Sequence, residues 1–306
     1  MKHQLILTAS LTLTTAFAQS SQTVKHELGS TDIRGTPKRI IALENSFIDA
    51  LAQLNVKPAG VADDGSPLPH LAAYVKGVPT VGTRNQPSLE AILALKPDLI
   101  LADLERHKNI YPQLAKIAPT LVLNSYRGSR DELLDQFSLI ADLTNKDAQG
   151  KTLREEHQRL FAKTKLLTSK KAGPTVIGVL APNGFWVHSD KSFLGTLIKD
   201  LGRDNPVSPQ KDTQFVMSLE GLVATNPASI ILLRNPGEVT PLDQWKTNPL
   251  WQSLPAVKAG QVYEFNRDLW AKGRGVIAFN KMLAQATASG YLQDQPAKAN
   301  FVDQAK

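Results

Sequence analysis

The chain of 306 residues contains no cysteine. Disulfides and thiolate metal sites are therefore excluded, and we expect no lipid attached to a cysteine behind an export signal. No segment approaches the run of about twenty apolar residues that a bilayer-spanning helix needs. Lysine and arginine do not form runs with interleaved aromatics, so we expect no nucleic acid partner.

The N-terminus has the pattern of a secretory signal. Lys2 supplies a positive start, residues 5–17 form a short apolar core, and Ala16-Phe17-Ala18 matches a small-x-small cleavage site. We expect residues 1–18 to be removed, leaving an exported, soluble protein; the alternative is a buried first helix. The formal net charge of +7 fits an anionic partner.

One stretch of sequence occurs twice. Residues 83–100 and 213–230 align without a gap and share Thr, Ser, Leu, Glu, Ala, Pro and Ile. Each copy indicates a serine-capped helix that stops before a proline and continues into an apolar strand. The expected buried stripes consist of Leu89, Ile92 and Leu93, and of Leu219, Leu222 and Val223. The repeat predicts two similar lobes with a ligand cleft between them.

Short apolar segments alternate with helical patterns in both halves. This predicts an α/β fold of two similar lobes, each a mainly parallel sheet flanked by helices. The predicted strands are 39–43, 58–62, 80–82, 98–102 and 120–123 in the first lobe, and 175–180, 229–233 and 261–265 in the second. The predicted division is a signal at 1–18, an N-terminal extension at 19–36, an N-terminal lobe at 37–144, a linking helix at 145–168, a C-terminal lobe at 169–295 and a tail at 296–306.

A charged helical pattern connects the two lobes. We interpret residues 145–168 as one long helix that spans both lobes, although Gly150 lowers the helix propensity near its start. The alternative is a helical pair that belongs to one lobe. Because a helix is a stiff link, we expect small lobe motions.

Ligands of parallel α/β sheets bind beyond the carboxyl ends of the strands. Arginines and large aromatic residues recur at these positions, and both suit an anionic organic ligand. The residues that follow the predicted strands are Glu44, Asn45, Asp63, Asp64, Arg84, Glu105, Arg106, His107, Tyr126 and Arg127, then Asn183, Trp186, Arg234, Asn235 and residues 270–274. We interpret Gly273-Arg274-Gly275 as a turn that opens a helix and presents Arg274 to the cleft.

Motifs for catalysis are missing. There is no Gly-x-Ser-x-Gly element and no cysteine nucleophile, and the six histidines lack metal-ligand spacing. We therefore expect no enzyme, no resident cofactor and no metal held directly by the protein. An exported enzyme or metal chaperone is the alternative from another class, and it requires a cluster of Asp63, Asp64, Glu105 and His107. His107 has two further interpretations, a direct ligand contact or a solvated loop residue.

Several segments resemble a known family. They are Ala42 to Leu51, Gly60 to Asp64, Val81 to Glu90, Lys96 to Asp103, Arg106-His107, Asn248 to Trp251 and Trp270 to Gly275. From about Pro37 to Tyr291 the chain resembles the periplasmic solute-binding proteins of ATP-driven iron–siderophore and cobalamin uptake. This is the class III group, in which a long helix joins the lobes, and the likeness is greatest to ferric dicitrate-binding proteins.

The resemblance implies a function and a set of site residues. It implies capture of a ferric siderophore, either iron(III) citrate or a related carboxylate or hydroxamate chelate, for an ABC-type importer of the inner membrane. The implied ligand-binding residues are Arg84, Arg106, Arg274, Tyr126, Arg127, Trp186, Trp270 and Asn45, which stands where close relatives carry a tryptophan. The iron would keep the chelator as its ligand shell. A catecholate siderophore or a corrinoid is the alternative ligand.

Two repeated acids have a separate interpretation. Glu90 and Glu220 occupy the first turns of the repeated helices, where helix capping alone explains a carboxylate. In the family that the chain resembles, the matching glutamates contact arginines on the two permease subunits. The resemblance therefore implies that Glu90 and Glu220 dock the protein onto the importer.

Overall fold

The computed structural model of the chain describes residues 21–170, 172–210, 212–298 and 300–302. The predicted signal at 1–18 lies outside these residues. Within them, no helix combines the length and the apolar character that crossing a membrane requires.

A β-hairpin opens the described chain. Strands β1 (Ser21–His26) and β2 (Gly29–Arg34) pair antiparallel. Their Val24 and Ile33 side chains are buried in the core of the N-terminal lobe, and the Thr31 hydroxyl donates to the Thr120 carbonyl oxygen at 3.0 Å. The sequence predicted only a polar extension here. The segment is instead packed onto the lobe that follows it.

Four parallel strands form the centre of the N-terminal lobe. They are β3 (Ile40–Ala42), β4 (Gly60–Val61), β5 (Leu99–Asp103) and β6 (Thr120–Leu123), in the order β4-β3-β5-β6. Every residue of these strands is buried, as expected for a parallel sheet covered on both faces. The predicted strand at 80–82 is reduced to two isolated bridges, a parallel one between Thr80 and Val61 and an antiparallel one between Gly82 and Pro87.

Six helices cover this sheet. They are α1 (Asn45–Gln53), α2 (Pro69–Val75), α3 (Leu89–Ala94), α4 (Leu104–His107), α5 (Tyr111–Ile117) and α6 (Arg130–Leu143). A capping box at Ser129 starts α6: the Ser129 hydroxyl accepts from the Glu132 backbone N–H, and the Glu132 carboxylate accepts from that of Ser129.

One helix of 19 residues, α7 (Asp147–Lys165), links the lobes. Gly150 lets α7 approach α6 closely, because a Cβ at this position would lie 2.4 Å from the Ala141 Cβ. Farther along, His157 Nδ1 lies 2.7 Å from Asn280 Oδ1, in the second half of the chain. A single helix therefore contacts both halves, and the alternative of a helical pair is wrong.

The C-terminal lobe contains a five-stranded mixed sheet. Its strands are β7 (Thr175–Ala181), β8 (Gly184–His188), β9 (Gln214–Met217), β10 (Ser229–Arg234) and β11 (Val262–Asn266), in the order β11-β10-β7-β8-β9. Strands β7, β10 and β11 are parallel as predicted, whereas β8 and β9 add two antiparallel strands that the sequence did not predict.

Seven helices accompany this sheet in the described chain. They are α8 (Phe193–Asp200), α9 (Leu219–Thr225), α10 (Pro241–Trp245), α11 (Pro249–Ser253), α12 (Pro255–Lys258), α13 (Arg267–Lys272) and α14 (Val276–Ala288). The predicted fold class, two α/β lobes with parallel sheets joined by a long helix, is confirmed.

The repeated sequence forms the same unit in both lobes. The Ser88 and Ser218 hydroxyls cap α3 and α9 by accepting from the backbone N–H groups of Ala91 and Gly221. Each helix is followed by a buried strand, as predicted. The predicted buried stripe is wrong at Leu93, whose side chain is 59% exposed. The six-residue helix packs on the sheet mainly through Ile92, so Leu93 lies on its outer side.

Candidate functional site

A large cleft lies between the two lobes. Its volume is about 530 Å³, which is within the usual range for small-molecule sites. The N-terminal lobe contributes Tyr126 and Arg127, from the loop between β6 and α6. The larger C-terminal share of the lining consists of Val179, Ala181, Asn183, Trp186, His188, Lys191, Ser192, Phe193, Asp212, Thr213, Gln214, Arg267, Ala271, Lys272 and Arg274.

The lining of the cleft is strongly cationic. Five of its described side chains are basic and one, Asp212, is acidic; the basic ones are Arg127, Lys191, Arg267, Lys272 and Arg274. Four of the five lie beside carboxylates: Lys272 is 2.7 Å from Asp268, and the pairs of Arg127, Lys191 and Arg267 have separations of 3.5, 3.8 and 3.9 Å. Three of the four pairs are separated by 3.5 Å or more and neutralise the lining only weakly, so the cleft remains attractive to an anion.

Arg274 is the buried cation of the cleft. The turn Gly273-Arg274-Gly275 precedes α14, as the sequence predicted. Its guanidinium donates from Nη1 to the Gly273 and Ala271 carbonyl oxygens, at 2.8 and 3.2 Å, and its Cζ lies 3.7 Å from the centre of the Phe193 ring. Burial lowers the pKa of Arg274 to about 10, so the group stays charged at neutral pH.

Neither Arg84 nor Arg106 is part of the main cleft's lining, so their predicted contact with the ligand stays a prediction. Both guanidinium groups are paired with the buried Glu44 carboxylate, Arg84 through Nη1 at 3.1 Å and Arg106 through Nε at 3.3 Å. Arg84 also pairs with Asp64, its Nε lying 2.8 Å from Oδ2. Burial raises the pKa of Glu44, and the neighbouring guanidinium groups oppose that shift. The Glu44 carboxylate, inside the first lobe, thus pairs with the two guanidinium groups that we had predicted to face the ligand.

Arg106 reaches the cleft only through an aromatic ring. Its Cζ lies 4.4 Å from the centre of the Tyr126 ring, and Tyr126 is part of the cleft lining. Arg106 also donates to the Asn85 side-chain oxygen. Arg106 therefore stacks on Tyr126 and helps to hold this ring in the cleft lining.

Trp270 is a core residue, and the prediction that it contacts the ligand is wrong. It is 1% exposed, stacks on Phe265 with ring centres 4.5 Å apart, and donates from Nε1 to Gln285 Oε1 at 2.7 Å. Its position on α13 turns the indole towards β11 and α14. The adjacent Ala271 and Lys272 line the cleft instead.

Trp186 is the tryptophan of the cleft. It lies on β8 and is 36% exposed, and its Nε1 donates to Asn183 Oδ1 at 3.2 Å. Trp186 from the C-terminal lobe and Tyr126 from the N-terminal lobe both line the cleft and offer flat contact area to a ligand.

Asn45 is not part of the main cleft's lining but lies beside it. It is buried at the start of α1, and its Nδ2 is 3.4 Å from the Lys272 carbonyl oxygen. It lines a separate cavity of about 20 Å³ together with Arg84 and Asp63. Asn45 therefore joins the lobes next to the cleft and does not face it.

Three of the four residues of the metal-chaperone alternative, His107, Asp64 and Glu105, contact other protein groups. His107 is fully buried: its Nδ1 accepts from the Asp103 backbone N–H at 2.8 Å, and its Nε2 lies 2.8 Å from the Arg84 carbonyl oxygen. Both earlier interpretations of His107, ligand contact and solvated loop, are wrong. Asp64 pairs with Arg84, and Glu105 lies beside Arg127. Among the described residues, no group of three or more potential ligands is placed to hold a metal ion.

Glu90 and Glu220 are exposed in the first turns of α3 and α9. Each follows the capping serine by two residues. Hydrogen bonds from its own backbone N–H and from the Ser88 hydroxyl lower the pKa of Glu90, so this carboxylate is ionised at neutral pH. Neither acid pairs with a cation at salt-bridge distance among the described residues.

Several cleft residues were not predicted. His188 is the last residue of β8, Lys191 and Ser192 follow that strand, and Gln214 lies on β9. Their place at the cleft could not be inferred while these two strands were missed. Lys272 was inside the predicted segment 270–274 but was not singled out. The cationic lining is thus larger on the C-terminal side than the sequence suggested.

The model of the periplasmic binding protein family matches residues 40–269 of this chain, including both lobes and the link between them. This chain belongs to the periplasmic binding protein family. Among periplasmic binding proteins, it is 42% identical over 262 residues to the Fe(3+)-citrate-binding protein YfmC of Bacillus subtilis, an alignment that covers 85% of this chain and 82% of YfmC.

Two further members of the family are informative. The Fe(3+) dicitrate-binding periplasmic protein FecB of Escherichia coli is 36% identical over 277 residues, covering 90% of this chain and 91% of FecB. The crystal structure of the petrobactin-binding protein YclQ from Bacillus subtilis superimposes with a TM-score of 0.78 at 21% identity, covering 88% of this chain and 98% of YclQ. The superposition supports the fold alone, whereas the sequence matches establish the family.

Proposed function

We propose that this periplasmic binding protein captures an iron(III)–citrate complex, or a ferric complex of a related carboxylate or hydroxamate chelator, in the interlobe cleft. The observation that carries the proposal is the cleft of about 530 Å³ with five basic side chains and one acidic side chain in its described lining. The names of the two relatives with the highest identity reported above, both of which bind ferric citrate, agree with this charge pattern.

In this proposal the chelator, and not the protein, supplies the ligands of the iron. The protein supplies charge through residues such as Arg274 and Lys272, and flat surface through Tyr126 and Trp186. In a partly desolvated cleft these charges attract an anion more strongly than they would in water. A corrinoid, the alternative ligand, carries less negative charge, so its electrostatic attraction to such a cationic lining is weaker.

We further propose that the loaded protein delivers its ligand to an ABC-type importer through Glu90 and Glu220. The two acids occupy equivalent turns of equivalent helices, one in each lobe, and both are exposed. A pair of this kind suits a basic partner with approximate two-fold symmetry. The protein would reach this partner as a soluble periplasmic monomer after removal of residues 1–18. Mass spectrometry of the mature chain tests this processing.

A fluorescence titration tests ligand capture. The purified protein is titrated with ferric citrate, a ferric tris-hydroxamate, a ferric tris-catecholate, a corrinoid, metal-free citrate and an iron(III) salt. We expect a saturable change with ferric citrate, and a much smaller one in Trp186→Phe, because Trp186 is the tryptophan of the cleft lining. Saturation by the bare metal ion alone would favour the chaperone alternative and contradict the proposal.

A further inference from the structure

The end of the linking helix exposes apolar side chains. Leu166 directly follows α7 and is 85% exposed, more than any other large hydrophobic side chain of the described residues. Leu160 and Leu167 are each 38% exposed. Phe161, by contrast, packs into the core of the C-terminal lobe. The three leucines, which we call the leucine patch, are therefore left on the outer side of the segment.

Basic side chains accompany the leucine patch. Four of them are exposed: Arg159, Lys163, Lys165 and Lys170. Between residues 157 and 174 the sequence contains five lysines and arginines and no acid. Arg159 pairs loosely with Glu155 of the preceding turn, at 3.8 Å, whereas the three lysines form no ion pair with a carboxylate among the described residues. The surface around the leucines is thus cationic.

Helix stability explains only part of this arrangement. Lys163 and Lys165 lie in the last turn of α7, where cations interact favourably with the helix dipole. That interaction gives no reason for leucine at neighbouring exposed positions. Single exposed leucines are common on protein surfaces, but leucines grouped among lysines and arginines are typical of segments that lie at a membrane interface. Anionic phospholipids attract such basic segments.

We propose that the leucine patch and the four basic side chains form a contact surface for an anionic phospholipid bilayer. The leucines enter the boundary between head groups and acyl chains, while the cations remain beside the lipid phosphates. Three leucines bury little apolar area, so the contact is reversible. The proposal goes beyond the function proposed above and uses a different surface, because α7 packs against α6 and α14, whereas Glu90 and Glu220 lie on α3 and α9.

Co-sedimentation with vesicles tests this contact. The purified protein is mixed with vesicles of phosphatidylglycerol and phosphatidylcholine, at low and at physiological salt, and with vesicles of phosphatidylcholine alone. We expect binding to the anionic vesicles only, and weaker binding at the higher salt. Leu166→Gln together with Leu167→Gln should lower the partition coefficient about 10-fold, because apolar burial is lost. Lys163→Gln together with Lys165→Gln should lower it about 10-fold or more.

Leu93→Gln is the matched control for the leucine variants. Leu93 is also an exposed leucine of a helix, but the preceding turn carries the acidic Glu90. Its partition coefficient should equal that of the wild type. All variants have the same N-terminus, so any contribution of residues 1–18 to lipid binding is common to them. Circular dichroism establishes that each variant is folded.

The absence of cysteine permits a second measurement. In Leu166→Cys the single thiol is labelled with an environment-sensitive nitrobenzoxadiazole dye. Its emission should increase and shift to shorter wavelength when anionic vesicles are added, because the dye leaves water. The same dye on Leu93→Cys should not respond.

Several outcomes would overturn the proposal. They include equal binding to both kinds of vesicle, and binding to anionic vesicles that the leucine and lysine variants leave unchanged. Loss of binding in the lysine variant alone would show adsorption by charge, as to any acidic polymer, without entry of the leucines. A dimer in analytical ultracentrifugation that the leucine variant dissociates would assign the patch to a second copy of the chain. These measurements use no ferric ligand, so the proposed function is judged separately by its own titration.

Discussion

Asp49 on α1 accepts hydrogen bonds from the backbone N–H groups of Ile277 and Ala278 at the start of α14, both at 3.0 Å. The carboxylate is fully buried and connects the first lobe to the second half of the chain. Gly275 makes this approach possible: its φ is 119°, and a Cβ there would lie 2.5 Å from Asp49 Oδ1. One buried acid thus caps a helix across the junction of the lobes.

This relationship predicts a dependence of stability on pH. Burial raises the pKa of Asp49 from 3.8 to about 7. Between these values the folded protein holds a proton that the unfolded chain has lost, so stability falls as the pH rises through the interval. Relative to Asp49→Asn, we expect the free energy of unfolding of the wild type to fall by roughly 1.4 kcal/mol per pH unit between about pH 4 and 7. Urea denaturation of the wild type and of Asp49→Asn at several pH values measures this slope.

The comparison with Asp49→Asn matters because His70 titrates in the opposite sense. His70 Nε2 lies 3.8 Å from Asp49 Oδ2, and burial, followed by the charge of Lys281, lowers the pKa of His70 to about 4. An unfolded chain therefore takes up a proton at His70 near pH 6.5, and this contribution to stability rises with pH. Because both proteins contain His70, its contribution largely cancels in the difference. A difference that is flat with pH would contradict the assignment to Asp49.

Local patterns account for the parts of the fold that the sequence predicted. The parallel strands were identified because their apolar runs are continuous, and the helices α3 and α9 because Ser88 and Ser218 cap them. These signals depend on neighbours in sequence. Strands β8 and β9 lack such a signal, because β8 mixes buried and exposed residues over five positions and β9 has no buried residue.

The differences between the predicted and the observed site have a different physical origin. Arg84 and Trp270 were placed correctly near strand ends, but the sequence pattern does not predict the orientation of their side chains. Glu44 draws Arg84 into the first lobe, and the stacking surface of Phe265 holds Trp270 in the core. Both outcomes depend on partners distant in sequence. The phase of the short helix α3, which leaves Leu93 exposed, is likewise set by packing.

Substitution of Trp270 should lower stability, whereas substitution of Trp186 should lower the affinity for the ligand. Trp270→Ala removes a buried, stacked side chain and should cost about 3–5 kcal/mol of stability, because it leaves a cavity. Trp186→Ala should leave stability nearly unchanged and weaken ferric citrate binding, because Trp186 is partly exposed in the lining. Thermal unfolding and titration of each variant separate the effects. Wild-type stability in Trp270→Ala would be incompatible with its place in the core.

The docking proposal predicts a separation of transport from binding. Glu90→Gln together with Glu220→Gln should abolish uptake of radioactive iron by cells that depend on this protein, while the purified double variant binds ferric citrate as the wild type does. Glu156→Gln is the matched control, since Glu156 is also exposed on a helix but lies on the linking helix α7. Weakened ligand binding by the double variant, or uptake at the wild-type rate, would refute the docking role.

The contact between α6 and α7 predicts that a better helix former destabilises the protein. Gly150→Ala gains about 1 kcal/mol in helix propensity, but its new Cβ would lie 2.4 Å from the Ala141 Cβ and must force the helices apart. Overpacking of this kind costs about 1–3 kcal/mol, so we expect a net loss of stability. The double variant Gly150→Ala, Ala141→Gly moves the methyl group to the facing helix and should recover part of the loss. Chemical denaturation of the three proteins measures the coupling, and strictly additive effects would show that the two positions are not in contact.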